Sequence, residues 1–248
     1  MQRLIFIWRH NLVPSMVNPR AWLAEAICMY GLVFFGPLSV IVSVAAFGEE
    51  LNTISVLFIS AAHGSVIAFM VYSFGQVSGA HINPAITIPL ILLRKLGVAD
   101  GIGYVGAQLA GAVVAAATLW AILPELGARV NFGTQGGPSE ILNGSIGAAF
   151  AVEAVLTFFL VVVVFMTVLH KKASPGWHGF SIGGMVFLIH LVGIPLTGAS
   201  VNPARTFGPA LISGFWEFHW IYWAAPILGG IIAAFAMYYI FVKKAEEE

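Results

Sequence analysis

Six apolar runs of about 20 residues, at approximately 21–45, 54–74, 101–123, 146–169, 179–197 and 219–242, alternate with short polar connections along the chain. A helix needs about 20 residues to cross a hydrocarbon core about 30 Å thick, so the pattern predicts six transmembrane helices. Two further apolar stretches, 82–93 and 201–212, are too short to span. At 1.5 Å per residue each reaches about 17 Å, roughly half the core, and must enter and leave on one side. The predicted class is an all-α membrane protein of six transmembrane helices plus two re-entrant half-helices.

The two halves of the chain repeat each other. Glu25 in the first span matches Glu153 in the fourth (153 − 25 = 128). Ser78-Gly79-Ala80 before Asn83-Pro84-Ala85 matches Thr197-Gly198-Ala199 before Asn202-Pro203-Ala204 (202 − 83 = 119), and Tyr104 to Ala116 resembles Tyr222 to Ala234 (222 − 104 = 118). Three spans per half is an odd number, so the second copy crosses in the opposite sense and the repeat is inverted. The half-helices then approach the midplane from opposite faces. Glycines on the spans, Gly106, Gly111, Gly229 and Gly230, are expected to let helices pack closely where lipid supplies no hydrophobic drive. The domain organisation expected is a tail at 1–20, one membrane domain at 21–242 with repeats at about 21–123 and 146–242, and a tail at 243–248.

Composition agrees with this class. The 248 residues are 59% hydrophobic and 9% charged, with a mean hydropathy of +0.93; a soluble domain carries roughly 25% charged residues. The formal net charge of zero gives no reason to expect nucleic acid as a partner. Arg3, Arg9, Arg20, Arg94, Lys95, Lys171, Lys172, Lys243 and Lys244 fall on one face of the six-span topology, against Arg129 alone on the other. The positive-inside rule then puts both termini in the cytoplasm of a multi-pass cell-membrane protein. Residues 1–20 hold one short apolar run, Leu4 to Trp8, and no small-residue cleavage pattern, so a tail or interfacial helix is expected there rather than a signal peptide. The lone cysteine, Cys28, precludes an intrachain disulfide.

The chemistry concentrates in the paired Asn-Pro-Ala tripeptides. An Asn side-chain oxygen caps free N–H groups of a first helical turn, and Pro suits the first helical position, where an N–H would lack a partner anyway. Asn18-Pro19-Arg20 has the same opening and reads as an ordinary turn before the first span. The other two are different because they start half-helices that meet. If Asn83 and Asn202 cap their own helices through oxygen, each NH2 group is left to donate into a lumen. Two such donors, backed by two positive helix ends, hold a water by its oxygen with its hydrogens pointing away from the centre. A water held so passes along a file and does not accept a proton from its neighbour.

These residues, with Ser78-Gly79-Ala80-His81-Ile82 before the first motif and Arg205-Thr206-Phe207-Gly208-Pro209-Ala210 after the second, resemble the aquaporin, or major intrinsic protein, family over nearly the whole chain, from Ala21 to Val242. The resemblance implies a right-handed bundle, a separate pore in each subunit of a homotetramer, and passive conduction of water through the bilayer with protons and ions excluded. Short basic termini and compact loops suit a microbial member, an archaeal one included. The family's constriction, carried over by position, falls on His63, His190, Ala199 and Arg205. His190 with Arg205 is the water-type pattern, as are Thr206 after the Arg, Ala210, Tyr222 and Trp223. His63 in place of the usual Phe, and Ala199 in place of a frequent Cys, depart from that pattern and open an alternative, a broader channel for glycerol, urea or ammonia. The missing Cys also implies resistance to mercurials. An Arg at membrane depth costs about 3 kcal/mol even on the gentlest scale and needs carbonyl or water partners.

The remaining polar positions have two readings. Glu25 and Glu153 suit ion or proton sites as carboxylates do in transporters; the resemblance implies instead that they accept hydrogen bonds from the re-entrant loops. His81 and Gln108 are expected to tie loop to span. His63 and His190 also raise the alternative of pH control near neutrality, which a neighbouring Arg205 opposes. A secondary transporter shares inverted repeats and broken helices, yet no carboxylate lies near either half-helix in sequence. No His-Glu-x-x-His or Gly-x-Ser-x-Gly motif points to an enzyme, and no cofactor or metal is expected.

Overall fold

The computed structural model describes residues 17–48 and 51–247. Most of the expected N-terminal tail, with its short apolar run, lies outside the described residues. Among the described residues six helices are long and apolar enough to cross a membrane. They are α1 (Pro19–Phe47), α2 (Thr53–Ser78), α4 (Val98–Ile122), α6 (Ile146–Val164, prolonged by a π turn at Phe165–Leu169), α7 (His178–Thr197) and α9 (Ile221–Met237, with a π turn at Tyr238–Val242). The expected half-helices are α3 (Pro84–Leu92) and α8 (Pro203–Ser213). A short α5 (Pro124–Arg129) lies in the connection between the halves, and α10 (Lys243–Glu247) ends the described chain.

One expectation is corrected. Asn18-Pro19 is no ordinary turn: Asn18 is the N-cap of α1, its Oδ1 accepting from Ala21 N at 3.3 Å, with Pro19 at the first helical position. The capping rule holds here as at the half-helices, and Asn18 N in turn donates to Asp100 Oδ1 at the start of α4. The expected tail at 243–248 continues as helix through Glu247, held by Lys95 Nζ to Glu246 Oε1 at 3.2 Å and by the same ammonium over the Tyr238 ring.

The packing has the symmetry that the repeat predicts. In each half the first span packs along the third, α1 on α4 and α6 on α9, while α2 and α7 meet across the centre. Each half-helix crosses to the other half: α3 lies on α9, and α8 lies on α4. Small residues permit these approaches, because a Cβ on Gly111 would strike the Ala26 carbonyl, on Gly229 the Ala154 carbonyl, on Gly208 the Ala112 carbonyl and on Gly230 the Ala85 carbonyl. Dispersion contacts fall off steeply with separation, so close backbone approach is what drives association inside lipid. Gly106 departs from the expectation, since nothing lies within 4 Å of a Cβ built there.

Candidate functional site

The two re-entrant loops turn into the bundle through left-handed backbone. Gly79 and Gly198 end α2 and α7 in the αL conformation. The loops then place Ala80 (φ 46°), Ile82 (φ 54°), Ala199 (φ 44°) and Val201 (φ 47°) in the same region. For β-branched Ile82 and Val201 such a conformation costs on the order of 1–3 kcal/mol and persists only where surroundings over-determine it.

Two buried carboxylates supply that determination. Glu25 Oε1 accepts from Ser78 Oγ (2.7 Å) and His81 N (2.9 Å), and its Oε2 accepts from Ile82 N (2.8 Å) and Gln108 Nε2 (2.7 Å). Glu153 repeats the pattern on the second loop, with Oε1 accepting from Thr197 Oγ1 (2.7 Å) and Ser200 N (3.0 Å) and Oε2 from Val201 N (2.8 Å). Every partner is a donor, which leaves neither carboxylate facing a lumen as a vacant ion site. Tyr104 and Tyr222 complete the frame by donating to the Ser78 and Thr197 carbonyls. His81 Nδ1 lies 3.1 Å from Thr87 Oγ1, which also receives Gln108 Nε2.

At the centre the two asparagines clasp each other's loops. Asn83 Oδ1 accepts from Ala85 N (2.8 Å), and Asn202 Oδ1 accepts from Ala204 N and Arg205 N (3.2 Å each). Asn83 Nδ2 donates to the Val201 carbonyl and Asn202 Nδ2 to the Ile82 carbonyl, both at 2.7 Å. The expected pair of wholly unengaged NH2 groups is therefore modified: each amide spends one hydrogen on the opposite loop and keeps the second. Pro84 and Pro203 occupy the first helical positions, and Ala85 and Ala204 are fully buried behind them.

His63, His190 and Arg205 come together to one side of this clasp. The imidazoles stack with centroids 4.1 Å apart. Each Nδ1 lies 2.9 Å from a carbonyl of its own helix, Ile59 O and Val186 O, which can only accept, so each Nδ1 carries hydrogen. His63 Nε2 then accepts from Arg205 Nη2 at 3.2 Å, and Arg205 Nη1 donates to the Gly133 carbonyl. Two buried atoms here have no hydrogen-bond partner, His190 Nε2, an acceptor, and Arg205 Nε, a donor. One cavity runs from this point past Asn83 and Asn202 between apolar walls that include Leu32, Ile67, Leu160 and Val164. A second opens on the other side, lined by Val40, Leu51 and residues 133–136, and the two share His190 and Arg205. Neither lining includes an Asp or Glu.

Ala199, the fourth expected member, lines neither cavity. Its Cβ faces Gly193 of α7, and its carbonyl receives Gln135 Nε2 at 3.4 Å, while Gly198 and Ser200 on either side form the walls. Three contributors escaped the sequence reading. Gly133 and Gln135 sit in the connection between halves, and Gln135 Oε1 accepts from Thr206 Oγ1 at 2.8 Å, binding that connection to the start of α8. Gly36 of α1 lies against the His63 ring. No periodicity marks a loop residue that acts through its carbonyl. The repeated Tyr104 and Tyr222 were signals that sequence could have converted into roles. Among the described residues no group of three or more His, Cys, Asp or Glu is placed to hold a metal.

A family model described as Major intrinsic protein matches residues 13–238. Aquaporin-4 of Homo sapiens is 38% identical over 204 residues, 80% of this chain and 60% of that protein, so the chain spans about three fifths of that relative's length. Aquaporin-5 of Rattus norvegicus is 39% identical over 232 residues, covering 92% of this chain and 83% of its own. Among solved structures, the aquaglyceroporin from Plasmodium falciparum superposes with a TM-score of 0.77 over 93% of this chain and 100% of that one, a likeness of fold at 20% sequence identity.

Proposed function

The chain belongs to the major intrinsic protein family, and we propose that it is a passive water channel, constricted at Arg205 and the His63–His190 pair. The observation that carries this reading is that the inner cavity and the outer vestibule share His190 and Arg205, where one buried acceptor and one buried donor lack protein partners. Such a pair matches what a single water offers, two hydrogens and two lone pairs, as it exchanges hydrogen bonds from one side to the other. The tethered guanidinium places a fixed positive charge at the narrows, which opposes cations. The spare N–H of each Asn-Pro-Ala asparagine then orients water at the midplane, with Glu25, Glu153, His81 and Gln108 holding the loops. The basic residues on one face support cytoplasmic termini in a cell membrane, and the family supports a homotetramer with a pore in each subunit.

Conduction of glycerol, urea or ammonia is the second reading, favoured by His63, an imidazole where water-type members of the family carry a larger ring. Stopped-flow light scattering of proteoliposomes separates the two. Fast shrinkage in an impermeant osmolyte with negligible re-swelling in glycerol or urea supports a water filter, and rapid re-swelling supports the broader channel. Shrinkage that saturates or has a high activation energy refutes an open pore in favour of a transporter.

A further inference from the structure

Gly36 lies on α1 one helical turn from Leu32 and one from Val40. Leu32 lines the inner cavity and Val40 the outer vestibule, so Gly36 stands at the level where the two meet. It is buried, and the three heavy atoms nearest a Cβ placed there all belong to the His63 ring: Nε2 at 2.5 Å, Cδ2 and Cε1 at 2.9 Å. The His63 imidazole is thus seated between a bare glycine backbone on one side and the His190 ring on the other. Its own hydrogen bonds, to Ile59 O and from Arg205 Nη2, fix its plane. Ordinary van der Waals contact begins at 3.4 Å, so a methyl group at residue 36 requires the ring to move by about 1 Å (3.4 − 2.5 = 0.9). The ring already stacks on His190 and accepts from Arg205, so a displacement of that size changes its spacing to both.

We infer that Gly36 is a specificity-determining residue of this channel: the missing side chain on α1 leaves the room in which the His63 ring lies hydrogen-bonded to Arg205 and stacked on His190, and so sets the aperture beside them. The residue never touches the permeating molecule. It acts through His63, and none of the expected constriction positions lies on α1. The inference rests on the water-channel reading and deepens it, because it explains how a histidine, with its polar edge turned to Arg205, is accommodated at this position without closing the path.

The test uses the full chain, purified and reconstituted, as wild type, Gly36→Ala, His63→Ala and the double variant. On the water-channel reading the narrows pass one water at a time, and a shift of about 1 Å in the ring beside Arg205 should slow osmotic shrinkage of Gly36→Ala proteoliposomes about tenfold or more at equal protein content. The double variant, with no ring to displace, should return to the wild-type rate or exceed it and gain re-swelling in urea, as should His63→Ala. Thermal unfolding of the same four proteins gives a double-mutant cycle in which the Gly36→Ala penalty vanishes when residue 63 is Ala. This covers the case in which Gly36→Ala alone folds poorly, since the double variant then recovers both fold and flux. Gly36→Ala that conducts within about twofold of a conducting wild type overturns the inference alone, as does a loss of flux that His63→Ala leaves in place. A wild type no faster than empty vesicles overturns the water reading and this inference with it.

Discussion

Replacing Glu25 by Gln tests the frame of the first re-entrant loop in a way that the geometry makes unambiguous. Each carboxylate oxygen accepts one backbone N–H and one side-chain donor: Oε1 takes His81 N and Ser78 Oγ, Oε2 takes Ile82 N and Gln108 Nε2. Whichever way the amide sits, its NH2 replaces one oxygen. The side-chain partner has an escape, because Gln108 can flip to present the Oε1 that is otherwise unpartnered, and a hydroxyl can rotate. The backbone N–H has none, and an orphaned buried N–H costs about 1–3 kcal/mol. The bonds that remain fall from charge-assisted to neutral, which removes roughly 1 kcal/mol from each of two or three. The sum is about 4 kcal/mol, against a loop that already holds Ala80 and Ile82 at positive φ. At about 2–4 °C per kcal/mol for a chain of this size, thermal unfolding in detergent should fall by roughly 10 °C. Proton permeability of the folded fraction should stay low, since the residue is framework. A melting point within about 2 °C of wild type would refute the assignment; so would intact stability with a new proton leak, which would restore Glu25 as a proton site.

Glycine packing offers a sharper contrast. Gly229→Ala should lower the melting point because its methyl group meets the Ala154 carbonyl, whereas Gly106→Ala, with open space around it, should be neutral or gain up to about 1 kcal/mol of helix propensity; equal effects in the same assay would contradict the contact assignment. Mercurials should leave water flux unchanged, because Cys28 is fully buried and is the chain's only cysteine; a block that Cys28→Ser abolishes would show that the thiol is reached. Asn202→Asp keeps the cap acceptor yet sets a carboxylate against the Ile82 carbonyl, 2.7 Å away in the native clasp. Its water flux should fall at least about tenfold on the scale of a lost 1.5–3 kcal/mol contact, and wild-type flux in that variant would mean the clasp is dispensable.

Spans, half-helices and the inverted repeat are legible in the sequence, because each is a one-dimensional quantity. Run length is compared with bilayer thickness, and Asn-Pro marks a helix start by local capping chemistry that works the same at Asn18, Asn83 and Asn202. His63, His190 and Arg205 were found through motif position and do meet, 142 residues apart in the case of His63 and Arg205. Ala199 was placed in the same group, and its side chain turns instead toward Gly193, since a loop whose residues alternate into left-handed backbone sends neighbouring side chains to different sides. Sequence thus determined that the chain lies in a membrane, where it crosses, and which residues bring polar chemistry into lipid. Tertiary structure decided how those groups are spent: which amide hydrogen is committed to the opposite loop, which carbonyl in the connection holds Arg205, and that a glycine on α1 seats a histidine of α2. The physical reason is that span length and capping are settled among neighbours in the chain, whereas hydrogen-bond partners and contact distances inside a bundle are settled by segments that only folding brings within 3 Å of one another.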